Sequence, residues 1–421
     1  MNTRAEDQTH RAIEAVARES YGRLVALLAA RTRDIASAEA ALADALVAAL
    51  TTWPRDGIPK NPQGWLMTAA RNRLTDHARH RQVQDVSTPA LTLTMREFHD
   101  SADPEALPDK RLMLMFVCAH PAIDPDIHTP LMLQTVLGLD AVAIGRALLV
   151  APKTIGQRLV RAKTKIRQTR IAFEIPSADQ IPERLEAVLN AIYAAYGNSW
   201  EDVTAADARV ADLGQEAIWL ARVLREQMPV EPEVRGLLAL MLHCEGRRPA
   251  RRSAEGRFVP LSEQDPHDWR MPMVEEAETE LAACAQMWRS ALARRDLSKP
   301  RAGRFQIEAA IQSVHAERAH TGRTNWTAIS TFYDQLMQLA PSIGAAVARA
   351  AAHAEVYGPQ AALTLLDQLE PRAVSYQPYW AVRAHLLQLL DRPEAGDAYD
   401  RAIGLSADPA VRDFLLERRG R

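Results

Sequence analysis

Between Pro152 and Arg170 the chain carries seven basic residues, Lys153, Arg158, Arg161, Lys163, Lys165, Arg167 and Arg170, and no acid. Cations at that density suit a polyanion: each phosphate they neutralise releases counterions, so affinity falls with salt by a log-log slope of about 0.9 per contact. Lys153, Thr154, Gln157 and Arg158 stand near the start of the segment, where a DNA-reading helix reaches base edges. A good bidentate contact there discriminates between bases by about 1–3 kcal/mol. Arg161 and Lys165, farther along, suit phosphates. The plain alternative is a solvated basic helix.

The residues just before weigh against that alternative. Val142, Ile144, Ala147 and Leu148 outline a short amphipathic helix, Leu149–Ala151 a turn, and Pro152 a first helical position. Ile155, Leu159, Ala162 and Ile166 then supply a buried stripe opposite the cations. This is the pattern of a helix-turn-helix, whose second helix enters the major groove. Gly145 and Gly156 fall inside the two helices, each expected to cost about 1 kcal/mol relative to Ala.

Other reactive groupings are sparse. Cys118, His120 and His128 resemble a zinc set, but a structural site wants four ligands and no fourth is evident. His243 beside Cys244 is no better. The sequence lacks a Gly-rich phosphate loop, a nucleophile elbow and a helical His pair with Glu between. Glu275 and Glu276 read as a wet helix face. We therefore expect no catalysis, no cofactor and no metal.

The elements that must position the basic segment are helical throughout. Ile13, Val16, Tyr21, Leu24, Leu27 and Leu28 recur at helical spacing over Arg11–Arg33. A second helix, with Ser37 as its expected cap, runs through Leu42, Leu46 and Leu50 to Trp53 and stops at Pro54. RDGIPKNP, residues 55–62, is a loop, and Gln63–Arg81 resumes the helical period. Residues 82–108 hold three prolines without periodicity and read as a linker. Helices then continue to the end, interrupted by prolines at 120–130 and by a loop-rich stretch at Pro249–Trp269. Phrases ending in Ala-Pro341, Glu-Pro371 and Asp-Pro409 recur at intervals of about 34 residues, the tetratricopeptide length. Trp326, Tyr333, Ala398, Tyr399, Ala402 and Ile403 echo such units; plain helical packing is the alternative.

Composition agrees with helices: 421 residues, 47% hydrophobic and only 5% aromatic, crowded with Ala and Leu, which suit helices better than strands. Residues 1–172 hold 23 Lys/Arg against 18 Asp/Glu, a net +5, within a chain whose total is −2. That leaves −7 for the rest, so the two halves are expected to meet different partners, or merely to differ in surface charge. Three scattered cysteines, Cys118, Cys244 and Cys284, argue against a disulfide framework and read as core. No apolar run approaches about 20 residues and the start carries acids, so a cytoplasmic chain without a membrane partner is expected.

Residues 36–81 carry an acidic helix ending in Trp-Pro, a loop, then Trp-Leu and Ala-Arg-Asn-Arg. They resemble region 2 of extracytoplasmic-function sigma factors, and residues 109–170 resemble their region 4. With FVCAHPAIDP, TPLMLQTVLGLD, AIYAAYG, AIWLARVL and YQPYWAVRAHLL, the whole chain is similar to the subgroup bearing a C-terminal tetratricopeptide-like extension. The resemblance implies an all-α fold divided as region 2 (1–85), linker (86–108), region 4 (109–172), a helical middle domain (180–304) and helical repeats (305–421). It implies that Glu39 and Asp44 meet core RNA polymerase. Trp65, Asn72 and Arg73 would face the melted minus-10 element, with Trp65 as plain core an equal reading, and Lys153, Thr154, Gln157, Arg158, Arg161 and Lys165 the minus-35 element of promoter DNA. The repeats would receive a protein regulator. A helix-turn-helix regulator acting without core polymerase is the alternative.

Overall fold

Leu24 to Ala29 are all buried, because the long helix α1 (Asn2–Thr32) is surrounded by later helices. In the computed structural model, residues 2–82, 109–148, 150–177, 179–201, 208–293, 302–370 and 372–420 are described, and the expected linker at 86–108 lies outside them. The chain is all-α. Among the described residues, β pairing is confined to one isolated bridge, Arg252 with Phe258. Cα packing divides the chain into two compact units, meeting in sequence at Ala217 and Ile218.

In the first unit, α1 packs on α2 (Ile35–Asp56), α3 (Pro62–Gln82), α4 (Arg111–Cys118) and α5 (Pro125–Thr135). Two expectations for α2 change. Its cap is Asp34, which accepts from Ala36 N and Ser37 N, while Ser37 Oγ donates to Asp34 Oδ2 at 2.7 Å. Asp34, one residue before Ile35, satisfies the amides of Ala36 and Ser37 and so starts the helix three residues earlier, leaving Ser37 inside its first turn. The helix also passes Pro54 and ends at Asp56, where Gly57 turns the chain at φ +87. Pro54 removes a bond to the Leu50 carbonyl, and Leu50 lies on the exposed side, where water can replace it.

α4 is buried on every side, and its Arg111 reaches Asp109 at 2.7 Å and Glu216. α6 (Ala141–Leu148) and α7 (Pro152–Thr169) follow, then α8 (Ile181–Glu201), which packs on α4 and α5. α9 (Ala208–Gln227) spans the division. The first unit thus extends past the sequence boundary at 172.

In the second unit α10 (Pro232–Arg247) is nearly all buried between α11 (Met271–Ala293) and α12 (Arg304–Ala316). Glu233 of α10 caps α12: its carboxylate accepts from Phe305 N at 3.1 Å, Gln306 N at 3.2 Å and Gln306 Nε2 at 3.0 Å. A carboxylate at a helix N-terminus both satisfies free amides and opposes the helix dipole. The loop-rich stretch holds short 3-10 turns at Pro249–Arg251, Leu261–Glu263 and Pro266–Asp268. Then come α13 (Arg318–Thr321), α14 (Trp326–Leu339), α15 (Ile343–Tyr357), α16 (Pro359–Asp367), α17 (Gln377–Leu389), α18 (Ala395–Leu405) and α19 (Pro409–Arg419), each of α14 to α18 packing on the next.

Trp326 and Tyr333 pack around Ile307, Ile311 and Ile329, and Tyr379, Trp380 and Tyr399 belong to a second core. The stretch after α10 is tied to the end of the chain by ion pairs Arg252–Asp408 and Arg418–Glu263 and by Phe258 edge-on to Phe414. The sequence boundary at 304 is therefore crossed by many contacts.

Candidate nucleic-acid interface

Asp140 starts the helix-turn-helix by accepting from Val142 N at 2.9 Å and Ala143 N at 2.7 Å. After α6, Val150 N donates to Gly145 O at 2.9 Å, and Leu149 of the expected turn lies outside the described residues. A Cβ at Gly145 would stand 2.6 Å from Val150 O and 3.3 Å from Pro152 Cγ. Gly145 is thus a requirement of the turn rather than a weakness of the helix. Gly156 differs, since a Cβ there meets nothing within 4 Å. Gly145→Ala should destabilise the first unit by about 1–3 kcal/mol, because backbone cannot yield easily. Gly156→Ala should stabilise it by about 0.5–1 kcal/mol. Urea midpoints of the two variants should therefore move in opposite directions.

On α7, Ile155, Leu159, Ala162, Lys163 and Ile166 are buried. Lys153, Gln157, Arg158, Arg161 and Lys165 are exposed, with Thr154 half-buried among them. At 3.6 residues per turn these six fall within about 140° of the helix, opposite the buried stripe. Of the seven cations, only Lys163 and Arg167 pair with carboxylates among the described residues. The rest leave an uncompensated positive face. Lys163 Nζ donates to Glu39 Oε2 at 2.5 Å and to Gln134 Oε1 at 2.6 Å.

On α3, Asn61 Oδ1 caps the start through Gly64 N at 2.8 Å. Trp65 is half-buried and stands edge-on to the buried Trp53, ring centres 5.5 Å apart, so part of the ring serves the core. Asn72 and Arg73 are exposed, and Asn72 lies two turns from Trp65 on the same face. On α2, Asp44 is exposed, whereas Glu39 is enclosed by its contact with Lys163.

The sequence reading missed the outer face of α2. Ala36, Ala40, Ala43, Val47 and Leu50 are exposed, with Val47 at 60%. Their spacing of 4, 3, 4 and 3 is that of a coiled-coil seam. Opposite them Ile35, Ala38, Ala41, Leu42, Ala45, Ala49 and Trp53 face the bundle. The available signal was apolarity all around the helix, which demands two partners. For the same reason α2, against expectation, is long and apolar enough by composition to cross a membrane, alone among the described helices.

The imagined metal ligands are otherwise engaged. Cys118 Sγ contacts Thr135 Oγ1 at 3.6 Å, and burial pushes its thiol up to about 12. His120 Nδ1 accepts from Ala122 N, and His128 Nε2 meets Ile123 O. Among the described residues no three His, Cys, Asp or Glu side chains are grouped to hold a metal. The cysteines are free, with Cys118 and Cys284 buried and Cys244 half-buried. Glu276, expected to be wet, is bound by Arg222 through bonds of 2.9 and 2.7 Å.

The chain is 36% identical over 390 residues to an uncharacterized protein of Rhizobium meliloti (strain 1021), covering 91% of this chain and 89% of that one. Residues 184–285, from α8 into α11, match a family of unknown function, DUF6596. No solved structure matches.

Proposed function

The chain belongs to the same family as the Rhizobium meliloti protein, and we propose that it is a sigma factor: it directs core RNA polymerase to promoters in the cytoplasm, under control of its C-terminal helical unit. One observation carries this reading. An exposed basic face on α7 shares a compact unit with an exposed apolar seam on α2; the first suits DNA and the second a helix of another protein. Asp44 beside the seam adds a charge complementary to a basic partner. Asn72 and Arg73 supply an amide and a guanidinium for unstacked bases, and the exposed part of Trp65 a stacking surface.

The test is run-off transcription from genomic DNA with core polymerase and the full chain. Discrete transcripts dependent on the chain are expected. Salt-sensitive duplex binding without polymerase association would favour the regulator that works alone. Within α7, Arg158→Ala should weaken binding to the preferred promoter by about 1–3 kcal/mol and relax base preference. Lys165→Ala should weaken all duplexes alike and lower the salt slope by about 0.9. Fluorescence anisotropy across a salt series separates the two.

A further inference from the structure

We propose that Lys163 and Glu39 form a clasp that holds α7 beside the seam of α2, so that the seam accepts a polymerase helix only when the clasp opens. The proposal rests on the function argued above and adds a regulated state to it. Lys163 is the one cation on the buried face of α7, 9% exposed, and its ammonium joins α7 to Glu39 of α2 and Gln134 of α5. The second carboxylate oxygen of Glu39 is buried without a hydrogen-bond partner. Tyr21 nearby has its phenol pushed up by burial and by the Glu39 charge. Lys163 thus pairs with one oxygen of this carboxylate and supplies its counter-charge. One turn on, Arg167 Nη1 stands 3.9 Å from Asp34, the cap of α2.

The clasp closes one side of a cleft. Ala36, Ala40 and Ala43 of the seam line it from α2, and Val160, Lys163 and Arg167 line it from α7. Packed helices keep their axes about 8–10 Å apart, so a partner helix laid along Ala36 to Leu50 needs the space that α7 occupies. Val47 and Leu50 do not line the cleft and remain open as a first foothold. The proposed DNA-reading stripe is on the other side of α7, so closure leaves that stripe exposed and obstructs a helix at the Ala36–Ala43 end of the seam, whose side chains stay open to solvent. A desolvated pair is screened little by salt, which makes it a durable lock until a competing surface replaces both partners.

The test uses the full chain with Cys244→Ser and spin labels at Thr51→Cys on α2 and Gln168→Cys on α7, both exposed positions. Pulsed electron resonance should give one short distance in the free protein and a longer one with core polymerase bound. Lys163→Met should lengthen the distance without polymerase and raise polymerase affinity about tenfold, as expected when a competent state is no longer in the minority. The exchange Glu39→Lys with Lys163→Glu should restore the short distance, which guards against simple misfolding. A short distance retained in the polymerase complex overturns the proposal, as does a Lys163→Met protein with unchanged distance and affinity. If neither protein binds polymerase, the sigma reading falls by itself. The clasp then falls too if Lys163→Met leaves the distance short, and is upheld if the distance lengthens.

Discussion

Val47→Asp and Leu50→Asp should each weaken association with core polymerase by about 30-fold or more, and together should abolish it. An interface centre that loses an apolar anchor typically costs 2 kcal/mol or more, and here each substitution also leaves a carboxylate facing an apolar partner. Both side chains are exposed, Val47 at 60% and Leu50 at 37%, so the bundle should not notice. Unfolding free energy should stay within about 0.5 kcal/mol of the natural chain. Asp44→Ala, on the rim, should cost far less than either, since exposed charges contribute little at equilibrium. Titration calorimetry with core polymerase provides the check. Unchanged affinity in the Val47 and Leu50 variants would remove the seam as the docking surface.

Mild acid should destabilise the second unit before its carboxylates titrate. His243 is buried beside the Arg247 guanidinium, and burial first, then that charge, lowers its pKa from 6.5 to about 3. Glu278 Oε1 stands 3.4 Å from its Nε2 but is 44% exposed, so water screens its opposing pull. His315 is lowered to about 3 by burial, then by Arg247 and Arg318. In the unfolded chain both take a proton near 6.5, so their contribution is complete above that pH and is lost as pH falls towards 3. At pH 5 the loss is about 2 kcal/mol for each histidine, or roughly 4 kcal/mol together. Urea unfolding at pH 7 and pH 5 should show it, and His243→Leu should remove about half of the dependence. Equal midpoints at the two pH values would mean that neither imidazole stays neutral in the fold.

Much of the candidate site was legible in the sequence. The buried stripe Ile155, Leu159, Ala162 and Ile166 repeats with the helical period, and that period alone puts Lys153, Gln157, Arg158, Arg161 and Lys165 on the opposite side. All-helical structure followed from Ala and Leu content and from spacing, since helices are set by contacts a few residues apart. Caps were less legible. Asp34 and Ser37 are both good capping residues, and which serves depends on where the chain leaves α1.

The remaining features belong to contacts between residues distant in the chain. Whether Gly145 weakens a helix or permits a turn is decided by the carbonyl of Val150, and whether α2 shows one apolar face or two by how many helices surround it. Lys163 looks like its six basic neighbours in the sequence, and its burial is decided by Glu39, 124 residues earlier. Local periodicity thus determined which surfaces exist. Tertiary packing decided which of them are covered, because burial of a charge is favourable only where a partner from elsewhere in the chain meets it.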